Sequence, residues 1–278
     1  MSTDDSREIS RNYGARIIDI PLGSFDHGLS RNIGVKNAIG DLIYFTVQDA
    51  WLFTNDFLGK MASHFDDLTV MAVVGHQAVP HDQDKDPLLW YRPVSAPAVT
   101  ERIIEDKSVF INLSLQKQQE LVAWDNVVAM YRKEALIEQP FVQTEFAEDW
   151  VWSYQALLRG WKLLYDSSLV VYHYHHQSFK YAFRLRYTVN YHFFKHLGYR
   201  PRLPELFLPT IKAFYHLFIN KKLSINKKIY WFVYNISVKI GDYFSTLNFL
   251  IRLKYFGSLG IRKGFVKYCK QIPQGKQK

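Results

Sequence analysis

The chain has 278 residues, 48% hydrophobic and 22% charged, which excludes a disordered or fibrous protein and allows one substantial domain with an appendage, or two small ones. Its single cysteine, Cys269, excludes an intramolecular disulfide and fits a reducing compartment. The net charge of +9 is unevenly held: residues 180–278 carry 20 Lys and Arg against only Glu205 and Asp242, so residues 1–179 are net acidic. No apolar leader follows Met1 and no uncharged apolar run of about 18 residues occurs, so neither a secretory signal nor a membrane span is expected.

In chain order, "DDSREISRNYGARIIDIP" predicts a helix stopped near Gly14 and then a short strand, "ARIIDI". A helix is expected from about Ser30 to Ile39, stopped by Gly40, and the apolar run "DLIYFTV" reads as a strand buried on both faces of a parallel sheet. A helix ("TNDFLGKMASHF") and a strand ("TVMAVVG") follow. Residues 80–118 have a polar loop and no clear period. "VAMYRKEAL" is a strand-to-helix step. The last predicted elements of this part are a helix from Glu148 to Arg159, a stop at Gly160, and strands at Lys162–Tyr165 and Leu169–His173. Strands alternating with helices predict an α/β fold with a mostly parallel sheet, whose ligands sit beyond the carboxyl ends of the strands.

Asp49 falls at such an end, in "IYFTVQDAW". Alone it reads as a turn former. Glu148 and Asp149 open a helix, where the dipole favours negative charge, and an acidic first turn is ordinary. His173 and His175 share a face if their strand continues. Arg31 and Asn32 near a helix start are placed to meet phosphate oxygens, though a solvated helix start looks the same. Together these residues suit displacement at a sugar carbon bearing a nucleotide diphosphate. A divalent cation held by Asp49 and an imidazole would neutralise the leaving diphosphate, with Mn²⁺ and Mg²⁺ both compatible. Asp149 is then the candidate base for the acceptor hydroxyl.

The wording and order of these segments resemble the inverting glycosyltransferases of family 2, which have the GT-A (Rossmann-like) nucleotide-sugar-binding fold, and within them the rhamnosyltransferase type. "FDHGLSRNIGVKNAIGDLIYFTVQDA" matches that pattern's His-Gly, Arg-Asn-x-Gly, Ala-x-Gly-Asp and Gln-Asp-Ala. "AEDWVWSYQALLRGWKLLYDSSLVVYHYH" matches its acidic pair, Gly-Trp-Lys and Val-Tyr-His, and the likeness runs over about residues 2–200. The resemblance implies that Asp49 is the last carboxylate of the metal-binding Asp-x-Asp motif, with Val47 and Gln48 where a fuller motif has acids. It implies Asp149 as catalytic base with Glu148 beside it. Arg31, Asn32, Gln48 and Asp49 then bind the nucleotide sugar, Asp49, His173 and His175 the metal, and Asp125 and Asn126 the acceptor.

Family members open with a strand, a helix and a second strand ending in Asp-Asp-Gly-Ser-Thr-Asp. "MSTDDSREIS" resembles text that begins at the end of that signature, so a GT-A domain (residues 1–199) lacking the N-terminal strand-helix-strand is expected. Residues 200–278 form the second expected region, helical, basic and aromatic. Its dozen-residue apolar stretches broken by Lys pairs predict helices lying at a membrane surface, the other reading being a helical subdomain with solvated lysines.

The expected activity is transfer of a sugar, rhamnose from dTDP-rhamnose being the leading donor, to a lipid-linked or polysaccharide acceptor. The expected location is the cytoplasmic face of a membrane. A partner-dependent or inactive fragment is the competing reading. A nucleic-acid-binding protein is disfavoured because the body is net acidic and the basic residues are separated by long apolar runs.

Overall fold

The computed structural model describes residues 4–269 except Leu22, Phe53, Gln83 and residues 91–97. The chain divides into two units, the first within residues 1–45, 59–74 and 101–164 and the second within 46–58, 75–100 and 165–278.

In the first unit, α1 (Ser6–Asn12) ends at Gly14, whose φ of +76° closes the helix as its sequence position predicts. "ARIIDI" forms no strand. β propensity makes a strand only where another strand offers its ladder, and the neighbour of β1 (Leu42–Thr46) is β5 (Val128–Arg132) instead. Helix α2 (His27–Asn37) starts three residues earlier than expected because Asp26 caps it, accepting from Leu29 N at 2.8 Å. Its two-way clamp lies at Asn32, whose amide donates to Phe141 O (2.8 Å) while its oxygen accepts from Phe141 N (3.0 Å).

Strand order is β1-β5-β3, with β3 spanning Val70–Ala78. The β3–β5 ladder is antiparallel, pairing Ala72 with Tyr131 and Val74 with Ala129. The core of this unit is aromatic. Trp152 meets Tyr131 edge-on at 4.7 Å, and Phe45 and Phe141 pack on Tyr131 in the same manner. Trp152 and Gln139 exchange side-chain and backbone hydrogen bonds at 2.8 Å each, so the buried indole N–H is satisfied. From within the stretch at 80–118 that shows no clear period as sequence, and running on to residue 122, come β4 (Val99–Arg102), α4 (Lys107–Asn112) and α5 (Leu115–Val122), each helix opened by a side-chain cap, Asp106 and Ser114. Strand β5 runs directly into α6 (Lys133–Glu138), the predicted strand-to-helix step, and α7 (Glu148–Leu158) closes at Gly160 with φ +78°.

In the second unit the order is β3-β6-β2, where β2 is Ala50–Leu52 and β6 is Lys162–His173. The β2–β6 ladder is also antiparallel, pairing Ala50 with His173 and Leu52 with Val171. These two ladders depart from the parallel expectation, while the α/β class holds. Buried apolar runs occur in any strand covered on both faces, so they do not report strand direction.

The two strands expected at 162–165 and 169–173 are one strand. Its turn-like Asp166-Ser167-Ser168 stays extended because Asp166 takes Ser168 N (2.8 Å) and Ser167 bonds the Ala98 backbone in both directions. Helix α3 (Phe57–Ser63) lies on the segment predicted for it.

The C-terminal region is helical: α8 (Phe179–Leu197), α9 (Phe207–Ile219) and α10 (Ile225–Tyr268). One cluster joins Val79, Trp90, Leu217, Leu223 and Trp231; another joins Tyr187, Phe249, Ile261, Phe265 and Cys269. The second exists because α10 breaks at Gly257, whose φ +56° and ψ −154° suit a residue without Cβ. At Gly241 a Cβ would sit 2.8 Å from the Phe179 carbonyl oxygen and 3.3 Å from Ala182 Cβ, so α10 and α8 approach closely there. Gly241→Val is expected to destabilise the fold by about 2 kcal/mol through overpacking, read as a lowered thermal midpoint.

Candidate functional site

Asp49 sits in the turn between β1 and β2, closed by Ala50 N donating to Val47 O at 3.3 Å. The pairing of Ala50 with His173 sets Asp49 one residue beyond the last rung and beside the end of β6. Its two carboxylate oxygens face two imidazoles, Oδ1 at 3.5 Å from His173 Nε2 and Oδ2 at 3.4 Å from His175 Nε2. The strand ends at His173, so the two histidines do not share a strand face as expected. They nonetheless converge, rings perpendicular at 4.5 Å. One ligand atom from each of the three residues lies within 4.8 Å of the others. Gln48, next to Asp49, is exposed.

This donor set fits a divalent cation: one carboxylate oxygen and two imidazole nitrogens on a single side, all partly open to solvent. Burial and the facing His175 hold the His173 imidazole below its usual pKa against the pull of Asp49, which favours the neutral ring that a metal ligand needs. Gln77, which the sequence reading did not single out, orients it: His173 Nδ1 and Gln77 Oε1 are 2.7 Å apart. An amide oxygen only accepts, so the tautomer with its proton on Nδ1 satisfies this contact and would leave Nε2 to a cation shared with Asp49. Gln77→Leu is expected to weaken Mn²⁺ binding roughly 10- to 100-fold in a calorimetric titration. The signal for Gln77 is the same as for Gln48 and Asp49, a polar residue where an apolar strand ends.

A second cluster lies in the first unit. Ala147 opens α7 in the left-handed region (φ 65°, ψ 24°), a strained conformation for a buried alanine that puts Glu148 and Asp149 in the first turn. Arg31 Nη1 pairs with Glu148 Oε1, and Asn126 Nδ2 donates to the same oxygen at 3.3 Å. Tyr131 OH donates to Asn126 Oδ1 (2.5 Å) and accepts from Trp124 Nε1 (2.6 Å), which closes a buried network.

Asp149 accepts from Asn126 N at 3.3 Å and Trp150 N at 2.8 Å. Burial first, then Glu148 and Asp125, raise its carboxyl well above the usual carboxylate range, with Arg31 opposing. A carboxyl raised in this way holds a proton more readily than an ordinary carboxylate, as a group that takes one from a hydroxyl requires.

Four expected site residues meet here: Arg31, Asn126, Glu148 and Asp149. Asp125 caps the local turn, accepting from Val127 N at 2.8 Å. Asn126 is 1% exposed, with its side chain engaged in the network. The amide of Asn32 is engaged by the Phe141 backbone. Trp124 and Tyr131 are members that sequence reasoning missed, because buried aromatics carry no chemical signal of their own.

Residues 1–138 match the family model described as Glycosyl transferase family 2. The chain is similar to the O-antigen chain rhamnosyltransferase WbaN of Salmonella anatum, 33% identical over 181 residues that cover 64% of this chain and 55% of that protein. It is similar also to the O-antigen chain rhamnosyltransferase RfbN of Salmonella typhimurium, 29% identical over 165 residues, 58% of this chain and 50% of that protein. The chain therefore spans about half the length of the curated relatives it matches. Among solved structures, a mycobacterial protein aligns with a TM-score of 0.50 and 15% identity over 74% of this chain and 65% of that one, a likeness of fold.

Proposed function

Because this chain belongs to glycosyl transferase family 2, we propose that it transfers a sugar from a nucleotide diphosphate to a glycan acceptor by a single inverting displacement. The convergence of Asp49, His173 and His175 at the end of β6 is the observation that carries this reading. Both Salmonella relatives are O-antigen chain rhamnosyltransferases, which favours rhamnose as the sugar, hence dTDP-rhamnose as donor, and a lipid-linked or polysaccharide acceptor. The protein then works at the cytoplasmic face of a membrane.

Asp49, His173 and His175 would hold a divalent cation, Mn²⁺ or Mg²⁺. When bound, it supplies positive charge to the departing diphosphate. Asp149 takes the proton of the acceptor hydroxyl as that oxygen bonds to the anomeric carbon. The bond from that carbon to the diphosphate oxygen breaks, and its electron pair leaves with the diphosphate. Glu148 raises the carboxyl of Asp149, and Arg31 opposes that rise. Asn126 donates its backbone N–H to Asp149 and so orients it, and Asp125 and Asn126 would serve the acceptor. Arg31, Asn32 and Gln48 serve the nucleotide, Asn32 by fixing α2 in place.

Thermal unfolding of the purified chain with and without dTDP plus Mn²⁺ tests this reading. A ligand-induced rise in the midpoint that needs both components is expected. An unchanged midpoint in saturating dTDP and Mn²⁺ sinks it.

A further inference from the structure

Helix α9 carries two apolar faces. Ala213 and Leu217 are buried, and Leu217 joins the cluster of Val79, Trp90, Leu223 and Trp231. The opposite side, which in a solvated helix would be polar, shows Phe207, Leu208, Ile211, Tyr215 and Ile219. Phe207 is 76% exposed and Tyr215 59%, so these are side chains standing in the open and not the margins of a core. At 100° per residue the five occupy an arc of about 120°, with Lys212 at its edge.

The charge around this face has one sign. Residues 206–241 contain no Asp or Glu and six lysines, of which Lys221 and Lys222 directly follow Asn220, the C-cap of α9. Lys228 reaches back to donate to the Phe218 carbonyl at 2.8 Å, which holds a further positive charge at the helix.

We propose that α9 docks this chain in the plane of an anionic phospholipid bilayer, its outward apolar face among the acyl chains and its lysines at the headgroup phosphates. The proposal builds on the membrane-surface partner named above and says which element makes the contact. With 13 residues, α9 is roughly 20 Å long, short of the ~30 Å hydrocarbon core, so it lies flat and does not cross. Among the described residues, no helix is long and apolar enough to cross a membrane. Tyr215 suits the interface, with an apolar ring and a hydroxyl that stays wet. Charge complementarity decides against a second copy of this chain as the occupant, because two such faces would bring the same lysines together.

The test is sedimentation of the full chain with vesicles of phosphatidylglycerol and phosphatidylethanolamine, against vesicles of phosphatidylcholine alone. Wild type should bind the anionic vesicles and weaken as salt is raised. A variant with Phe207→Ser, Ile211→Ser and Tyr215→Ser should bind at least about tenfold more weakly, with an unchanged circular-dichroism melt because these side chains support no core. Lys212→Glu with Lys221→Glu should also bind at least about tenfold more weakly and lose much of the salt response.

Wild type that ignores anionic vesicles overturns both this proposal and the membrane partner. Wild-type binding that both variants retain overturns the role of α9 and leaves the membrane partner standing. A wild-type dimer that Phe207→Ser dissociates, with no vesicle binding, assigns the face to a second copy and overturns the proposal. Sugar transfer is not read in any arm, so failure of the catalytic reading shows elsewhere.

Discussion

Replacing Asp149 by Asn is expected to lower sugar transfer by about 10²–10⁴-fold while leaving donor binding near wild type, because a carboxamide accepts no proton. Initial rates and dTDP calorimetry on the same preparation check this, and a variant that turns over at the wild-type rate removes Asp149 from the mechanism. The pH dependence gives a second handle. Burial, Glu148 and Asp125 raise the Asp149 carboxyl, so the acid limb of the rate profile should lie above the ordinary carboxylate range. Glu148→Gln removes one of those causes and should move the limb to lower pH.

Stability carries the opposite sign. A carboxyl raised in the folded state favours folding below its unfolded value of about 3.9, and that contribution is lost as pH rises through the folded value. Melts across pH should therefore fall less steeply toward neutrality in Asp149→Asn than in wild type. The proposed base is kept in place at some expense to the fold, as the left-handed Ala147 beside it also suggests.

The second large effect is expected at Asp49. Asp49→Asn removes the anionic oxygen of the three-residue donor set and should abolish Mn²⁺ binding by calorimetry, together with any Mn²⁺-dependent rise in the dTDP melting midpoint. His173→Asn should act similarly, and the double variant should be little worse than either single one, since the donors work as a unit. Retained, saturable Mn²⁺ binding in Asp49→Asn at wild-type affinity would place the cation elsewhere. In the folded chain Asp49 lies within 3.5 Å of both imidazoles, so its removal also leaves the two rings facing each other without a carboxylate to order them.

Much of this was legible in one dimension because its causes are local. Gly14 and Gly160 end helices by tolerating positive φ, the acidic pair opens α7, and "VAMYRKEAL" turns from strand to helix where its apolar run gives way to Lys133 and Glu134. The residue types of the candidate site were readable for the same reason, since a carboxylate or imidazole at the end of an apolar run departs from its neighbours.

What the tertiary structure decided is partnership. "ARIIDI" has the isoleucines of a strand but pairs with none, and the break at Asp166-Ser167-Ser168 vanished because Ala98, 69 residues from Ser167, satisfied its polar groups. The direction of the β2–β6 ladder brought His173 to Asp49, although the two are far apart in sequence and His175 lies beyond the strand. Gln77 and Tyr131 acquired roles only through the groups they face. Propensity and period belong to a residue and its near neighbours, whereas hydrogen-bond satisfaction, burial and the pKa shifts they cause depend on atoms that only folding brings within reach.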